Sequence, residues 1–148
     1  RLLEEAMSVR ARIAKGETLP LAGVPVVVKD NIWVEGLPVT QGSKLFADFV
    51  APEDARSVAL LRKAGTVILG MGTCSEFACK GVTNTPLHGI TRNPADPGLT
   101  PGGSSGGPAA AVAAGLAPIA IGTFTYFVWC AARASRSREE PSTMKVVE

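Results

Sequence analysis

The chain has 148 residues, 46% hydrophobic and 19% charged, with a formal charge of +2 at pH 7. That length suits one domain with a core of its own, and that composition excludes disorder as the general state of the chain. The near-balanced charge, with no Lys/Arg block ahead of the tail, gives no footing to nucleic-acid binding.

Leu2, Ala6, Val9 and Ile13 recur at helical spacing and Gly16 follows Lys15, so residues 1–15 are predicted as a helix. Arg1-Leu2-Leu3-Glu4-Glu5 is neither a signal peptide nor an initiator start, so the expectation is a chain that begins inside a longer protein. Val24–Val28 is short, β-branched and almost wholly apolar, as expected of a strand buried on both faces. Pro52-Glu53-Asp54 is read as opening a second helix, with Ala55, Val58, Leu61 and Ala64 as its apolar stripe and Gly65 as its stop. Thr66–Leu69 is predicted as a second buried strand, and Glu76–Lys80 as a short helical turn. Residues 81–107 are predicted as one long loop, because Asn93-Pro94, Asp96-Pro97-Gly98 and Thr100-Pro101 are turn chemistry; a loop of that length is usually functional or disordered. Gly106–Gly115 reads as a third helix with Pro108 in its first turn, and Ala117–Gly122 as a third strand. The order predicts an α/β fold with a parallel or mixed sheet flanked by helices.

Ala109 to Ala132 is largely apolar, but Gly115 and Pro118 divide it into helix and strand, so no membrane span is expected. From Phe124 the composition changes. Aromatics crowd at Phe124, Tyr126, Phe127 and Trp129, and the residues after Cys130 lose all apolar period. Residues 133–148 are read as a disordered or frayed tail.

Cys74, Cys79 and Cys130 form no C-x-x-C pair, and His88 is the one histidine. Neither a disulfide framework nor a zinc site is expected, and a reducing compartment is the default. Cys74 and Cys79 are read as small buried hydrophobes, and His88 as a surface or core-satisfied side chain rather than a base.

The chemistry concentrates in Gly102-Gly103-Ser104-Ser105-Gly106-Gly107. Two serines framed by glycines at a helix start put hydroxyls and backbone N–H groups where an anion or a developing oxyanion is stabilised. Two overlapping G-x-S-x-G patterns suggest a nucleophile elbow, but Asp96–Pro101 cannot form the required strand and no histidine follows the serines. A phosphate loop fails for want of a Gly-Lys-Ser/Thr ending. Gly70-x-Gly72 lacks the third glycine of a dinucleotide fingerprint. Lys29, closing the first strand, has two readings: a long stem reaching solvent, or a desolvated amine that serves as a base.

From about Leu19 to Thr125 these residues together resemble the amidase signature family. The resemblance is carried by Pro20–Asn31 around Lys29, Ala64–Gly70, Gly81–Asn84, Thr91–Pro94 and Pro101–Gly115, in that order. It implies an α/β domain over residues 1–125, present in part, and a divergent tail over 126–148. It implies hydrolysis of a carboxamide through an acyl-serine, with Lys29 as the base and Ser104, preceded by a cis peptide, as the relay. Thr83, Asn84, Gly102, Gly103 and Ser105 are implied as substrate-binding. The nucleophile is expected in a block reading Gly-Thr-Asp-Thr-Gly-Gly-Ser. Here that block is Gly122-Thr123-Phe124-Thr125-Tyr126-Phe127-Val128, with Val128 at the nucleophile's place, so an inactive chain is expected. Met71 and Pro108 are lesser departures from the pattern. No metal or organic cofactor is implied. A small amide is the expected partner, with no membrane and a cytoplasmic setting; a tRNA-linked amidotransferase role is a further implication. A non-catalytic binding module is the alternative.

Overall fold

The computed structural model describes residues 1–123, so the aromatic run, Val128 and the tail lie outside the described residues. Helix α1 spans Leu2–Ala14, α2 Arg56–Lys63 and α3 Gly106–Ala113; strands are β1 Pro25–Lys29, β2 Val67–Gly72, β3 Asn84–Thr85, β4 Gly89–Ile90 and β5 Ile119–Ile121. The main sheet runs β2-β1-β5, both pairs parallel, with Val26 opposite Ile68 and Ile119. The fold is therefore α/β, a parallel sheet flanked by helices.

β1 is central because it can be. Val26, Val27, Val28 and Lys29 are all buried, as a strand covered on both faces requires. On one face Val26 and Val28 pack with Ile32, Val34, Val58 and Ile68. On the other, Val27 packs with Ala111 of α3 and Ala117. The small side chains of α3 let it lie close over the strands, and a Cβ on Gly72 of β2 would meet Pro108 of α3 at 2.7 Å.

β2 is the outer strand among the described residues, and an unpaired strand edge needs partners for its backbone. Glu5 of α1 accepts from Ile68 N at 2.9 Å, and Arg1 donates to Ile68 O at 3.1 Å. Arg62 of α2 bridges Glu5 at 3.0 Å and Asp54 at 2.8 Å, joining the two helices. Of the predicted stripe on α1 only Val9 is buried.

Four expectations need correction. α2 starts at Arg56, because the Asp54 carboxylate is taken by Glu35 N (2.8 Å) and Arg62 instead of capping a first turn. β2 runs three residues beyond Leu69, its backbone following β1 as far as the Lys29–Gly72 pairing. Residues 81–107 are not all loop: β3 and β4 form a small antiparallel hairpin. Cys79 is exposed, its thiol 3.1 Å from Glu76 O, whereas Cys74 is buried as expected. The turn at Glu76–Ala78 is a 3-10 turn with Phe77 and Ala78 in the left-handed region.

Candidate active site

Side chains alternate along a strand. With Val27 facing α3, Lys29 faces α3 too, and Asp30 turns to the opposite face. Lys29 is the last residue of β1, so its amine arrives at the C-terminal edge of a parallel sheet, where α/β folds place their ligands. Two other segments meet it there. α3 starts directly after Ser104-Ser105, and Thr123 follows β5, whose Ile121 pairs with Val28.

Lys29 is wholly buried, Ser105 likewise, and Ser104 is 7% exposed. Lys29 Nζ lies 2.6 Å from Ser104 Oγ, 2.9 Å from Thr123 Oγ1 and 3.1 Å from Thr123 O. Ser105 Oγ donates to the same Thr123 carbonyl at 3.1 Å, and Asn31 Nδ2 donates to Thr123 Oγ1 at 3.1 Å. No carboxylate pairs with Lys29 among the described residues. Burial pushes its amine below the ordinary lysine range, and Cys74, once ionised, pulls the other way. The Cys74 thiol is itself pushed up to about 11, by burial first and the Asp30 charge second. Of the two readings of Lys29 open in the sequence, the stem reaching solvent is excluded.

The glycine–serine segment is held from outside. The Gly103–Ser104 peptide is cis, and Gly102 has φ +90°. A Cβ on Gly103 would sit 2.8 Å from backbone atoms of Val82. Thr83, buried, donates through Oγ1 to Gly102 O and accepts from Gly106 N, both at 3.0 Å. Ser105 makes no side-chain cap on α3, so a residue far away in sequence satisfies one of the helix's free N–H groups. Ser75 N donates to Ser104 O at 3.2 Å.

Lys29, Ser104, Ser105, Gly102, Gly103 and Thr83 are thus brought together. Asn84 is not part of the cluster's hydrogen bonding; it is exposed on β3. Val128 lies outside the described residues. Sequence reasoning assigned no role to Asn31 or to Thr123. Strand alternation could not have placed Asn31, because β1 ends at Lys29 and the chain turns there, Asn31 N donating to Lys29 O at 2.8 Å; Thr123 reaches the site only through the pairing of β5 with β1.

Across the sheet, Asp30 accepts from Thr40 N at 2.7 Å, from Thr40 Oγ1, and from Gly42 N at 3.3 Å. His88 Nε2 meets Thr40 Oγ1 at 3.0 Å and lies 3.4 Å from Asp30 Oδ2. Asp30, Thr40 and His88, with Pro38, Met71 and Thr73, line a cavity of about 200 Å³.

A buried lysine hydrogen-bonded to a serine, with no carboxylate beside it among the described residues, can take a proton from that hydroxyl when it is neutral. The family model described as Amidase matches residues 1–125. The chain is 49% identical over 122 residues to a glutamyl-tRNA(Gln) amidotransferase subunit from Deinococcus radiodurans, covering 82% of this chain and 25% of that protein. It is 52% identical over 124 residues to the protein of the same name from Acidothermus cellulolyticus, covering 83% and 25%. The native peptide amidase of Stenotrophomonas maltophilia superposes with a TM-score of 0.79 at 37% identity, over 88% of this chain and 28% of that one. The chain spans about a quarter of the length of the curated relatives it matches. No helix among the described residues is long and apolar enough to cross a membrane.

Proposed function

The chain belongs to the amidase family, and from that premise we propose that it carries two members of a three-residue amide-hydrolysing site, Lys29 and Ser104, without the third. The observation that carries this reading is the 2.6 Å contact between the buried Lys29 amine and Ser104 Oγ. In a complete site the nucleophilic serine gives its proton to Ser104 Oγ, which passes its own to the lone pair of Lys29 Nζ. The alkoxide adds to the amide carbonyl, and the C–N bond breaks as the proton returns by the same route to the leaving nitrogen. Water then cleaves the acyl ester. Lys29 must be neutral to begin, and its burial favours that state.

In this chain the nucleophile's place falls to Val128, whose side chain has no nucleophilic atom, and Tyr126 and Phe127 stand where two glycines would leave room for an oxyanion. Loss of the nucleophile alone removes about six orders of magnitude in turnover. We therefore read the chain as inactive toward amides, with a small carboxamide as substrate and the cytoplasm as setting for a complete protein of this kind, hydrolase or amidotransferase component. A serine-directed fluorophosphonate probe tests the point. No labelling is expected; stoichiometric labelling at Ser104 or Ser105 would falsify it. The abrupt change at Phe124 is accounted for by a shifted reading frame, in which case another frame of the coding sequence beyond Gly122 encodes Gly-Gly-Ser; its absence from all three frames excludes that origin.

One observation favours a second reading, a non-catalytic module that binds an amide: Lys29, Ser104 and Thr123 are joined by hydrogen bonds among the described residues alone. Saturable binding of a simple carboxamide, abolished by Ser104→Val, separates it from the first.

A further inference from the structure

We propose that Thr83 is a positioning residue for Ser104, setting the relay hydroxyl against the Lys29 amine, in place of the substrate contact that the family resemblance implies for it. The proposal rests on the proton-relay reading of Lys29 and Ser104 and adds a residue whose hydroxyl bonds to neither of them.

A threonine hydroxyl has one proton to give and two lone pairs. The Gly102 carbonyl can only accept and the Gly106 N–H can only donate, so both bonds of Thr83 Oγ1 have a forced direction. Its proton goes to Gly102 O and a lone pair to Gly106 N, each at 3.0 Å. One oxygen atom thus joins the two ends of Gly102–Gly106, and Ser104 stands midway between them. Drawing both ends onto one atom sets the curve of the segment, and that curve aims Ser104 Oγ at Lys29 Nζ, 2.6 Å away. Thr83 is 2% exposed and its proton is committed, which leaves a substrate little to reach.

Capping α3 would require only one of these bonds. A cap satisfies the free N–H groups of a helix start; Thr83 also takes Gly102 O, which lies ahead of α3 and has no part in capping it. The approach is close along the segment. A Cβ on Gly106 would overlap Thr83 Oγ1, and one on Gly103 would sit 2.8 Å from the backbone of Val82. Thr83 is itself anchored, its carbonyl accepting from Thr91 N at 3.0 Å beside the hairpin of β3 and β4. On Ser104 itself the backbone is held by Ser75 N, which donates to Ser104 O at 3.2 Å. One such bond is a pivot; the tied ends at Gly102 and Gly106 stop the residue turning about it.

The test reads the Lys29 amine and does not depend on turnover. The full chain is labelled with ¹³C-lysine, the Lys29 signal is assigned by its loss in Lys29→Met, and its alkaline titration midpoint is followed by NMR. Thr83→Val removes the hydroxyl and Thr83→Ser keeps it; each is made alone and together with Ser104→Ala. None of these changes alters a charge, and Cys74, the titratable group coupled to the amine, is the same in all of them. The wild-type midpoint is expected below the ordinary lysine value. Thr83→Val is expected to move it toward that value by about half a unit or more, because a Ser104 that drifts off the amine lets water in. Thr83→Ser is expected to keep the wild-type midpoint. With Ser104→Ala already present, Thr83→Val is expected to add nothing. A residue that merely braces the fold would lower the melting temperature of Thr83→Val and leave the midpoint in place; that result overturns the role of Thr83 and leaves the relay standing. A shift of equal size with and without Ser104 also overturns it, since Thr83 would then reach the amine by another path. A wild-type midpoint at the ordinary lysine value overturns the relay and this inference with it. Should Thr83→Val fail to fold, Thr83→Cys, whose thiol is a weak donor and a weak acceptor, is read against Thr83→Ser with the same expected outcomes.

Discussion

Lys29 puts a charged-residue type at a position with no exposure at all, at the end of three valines. Such a group either pairs with an opposite charge or surrenders its own. Among the described residues Lys29 has hydroxyl and carbonyl partners only, so the folded state favours the neutral amine. In the unfolded chain the amine holds its proton up to its ordinary value of 10.5, whereas the folded chain releases it at lower pH. Between those two values the unfolded state binds more protons, so stability rises with pH; it is lost as pH falls through the folded value. Cys74 acts oppositely. Its thiol rises from 9.0 to about 11 on folding, so its contribution is present below 9 and lost as pH climbs toward 11. The two overlap, and a raw melting curve against pH would blur them. The difference in unfolding free energy between wild type and Lys29→Met isolates the lysine. Against pH it should climb in favour of wild type through the alkaline range and flatten above about 10.5. A flat difference from about pH 7 to 11 would show that Lys29 holds an ordinary charge when folded.

At the level of elements, the site depends on how the segment before α3 is clasped. Thr83 joins Gly102 O to Gly106 N through one hydroxyl, and Gly103 lies against the backbone of Val82 with no room for a side chain. Thr83→Val keeps the shape and removes both hydrogen bonds. It should cost about 1–3 kcal/mol in urea unfolding, the penalty for buried backbone groups left unpaired. Gly103→Ala should cost a similar amount, about 1–3 kcal/mol, by overpacking against backbone that cannot swing aside. If both variants unfold at the wild-type urea midpoint, the clasp is not tight. These elements also show what was visible in the sequence and why. β1, α3 and β5 were legible because each is a single apolar run bounded by glycine or proline, and hydrophobic run length is a local signal. The start of α2 was not, since Pro52-Glu53-Asp54 has the composition of a helix start while Asp54 is engaged with Glu35 and Arg62. β3 and β4 are two residues each, too short for any period to register. Cys79 looked like a buried hydrophobe because cysteine usually is one; a 3-10 turn carries it to the surface.

For the molecule as a whole, the site is held by the packing of one strand. β1 contributes to two cores, with Val26 and Val28 against α2 and β2 on one side and Val27 against α3 on the other. Lys29 is the next residue on the second side, so the position of its amine depends on packing that it does not touch. Nothing in residues 31–54 signals their share of the core, because Ile32, Val34, Val39 and Ala51 are buried along an irregular path with only a 3-10 turn at Lys44–Phe46 and one bridge between Pro38 and Val50. Burial without periodicity leaves no pattern in a sequence. A central strand shared by two cores should make the two faces melt as one unit. Ile68→Ala tests this from the face opposite the site. Ile68 is wholly buried, so its truncation should cost about 2–5 kcal/mol. Hydrogen exchange then reads where the loss appears. If β1 couples the faces, the slowest amides of Val26–Lys29 and those in the middle of α3 lose protection by the same free energy, although α3 does not touch Ile68's core. If α3 keeps its wild-type protection while β2 and α2 lose theirs, the faces are independent, and Lys29 is held by α3 and the Thr83 clasp without help from across the sheet.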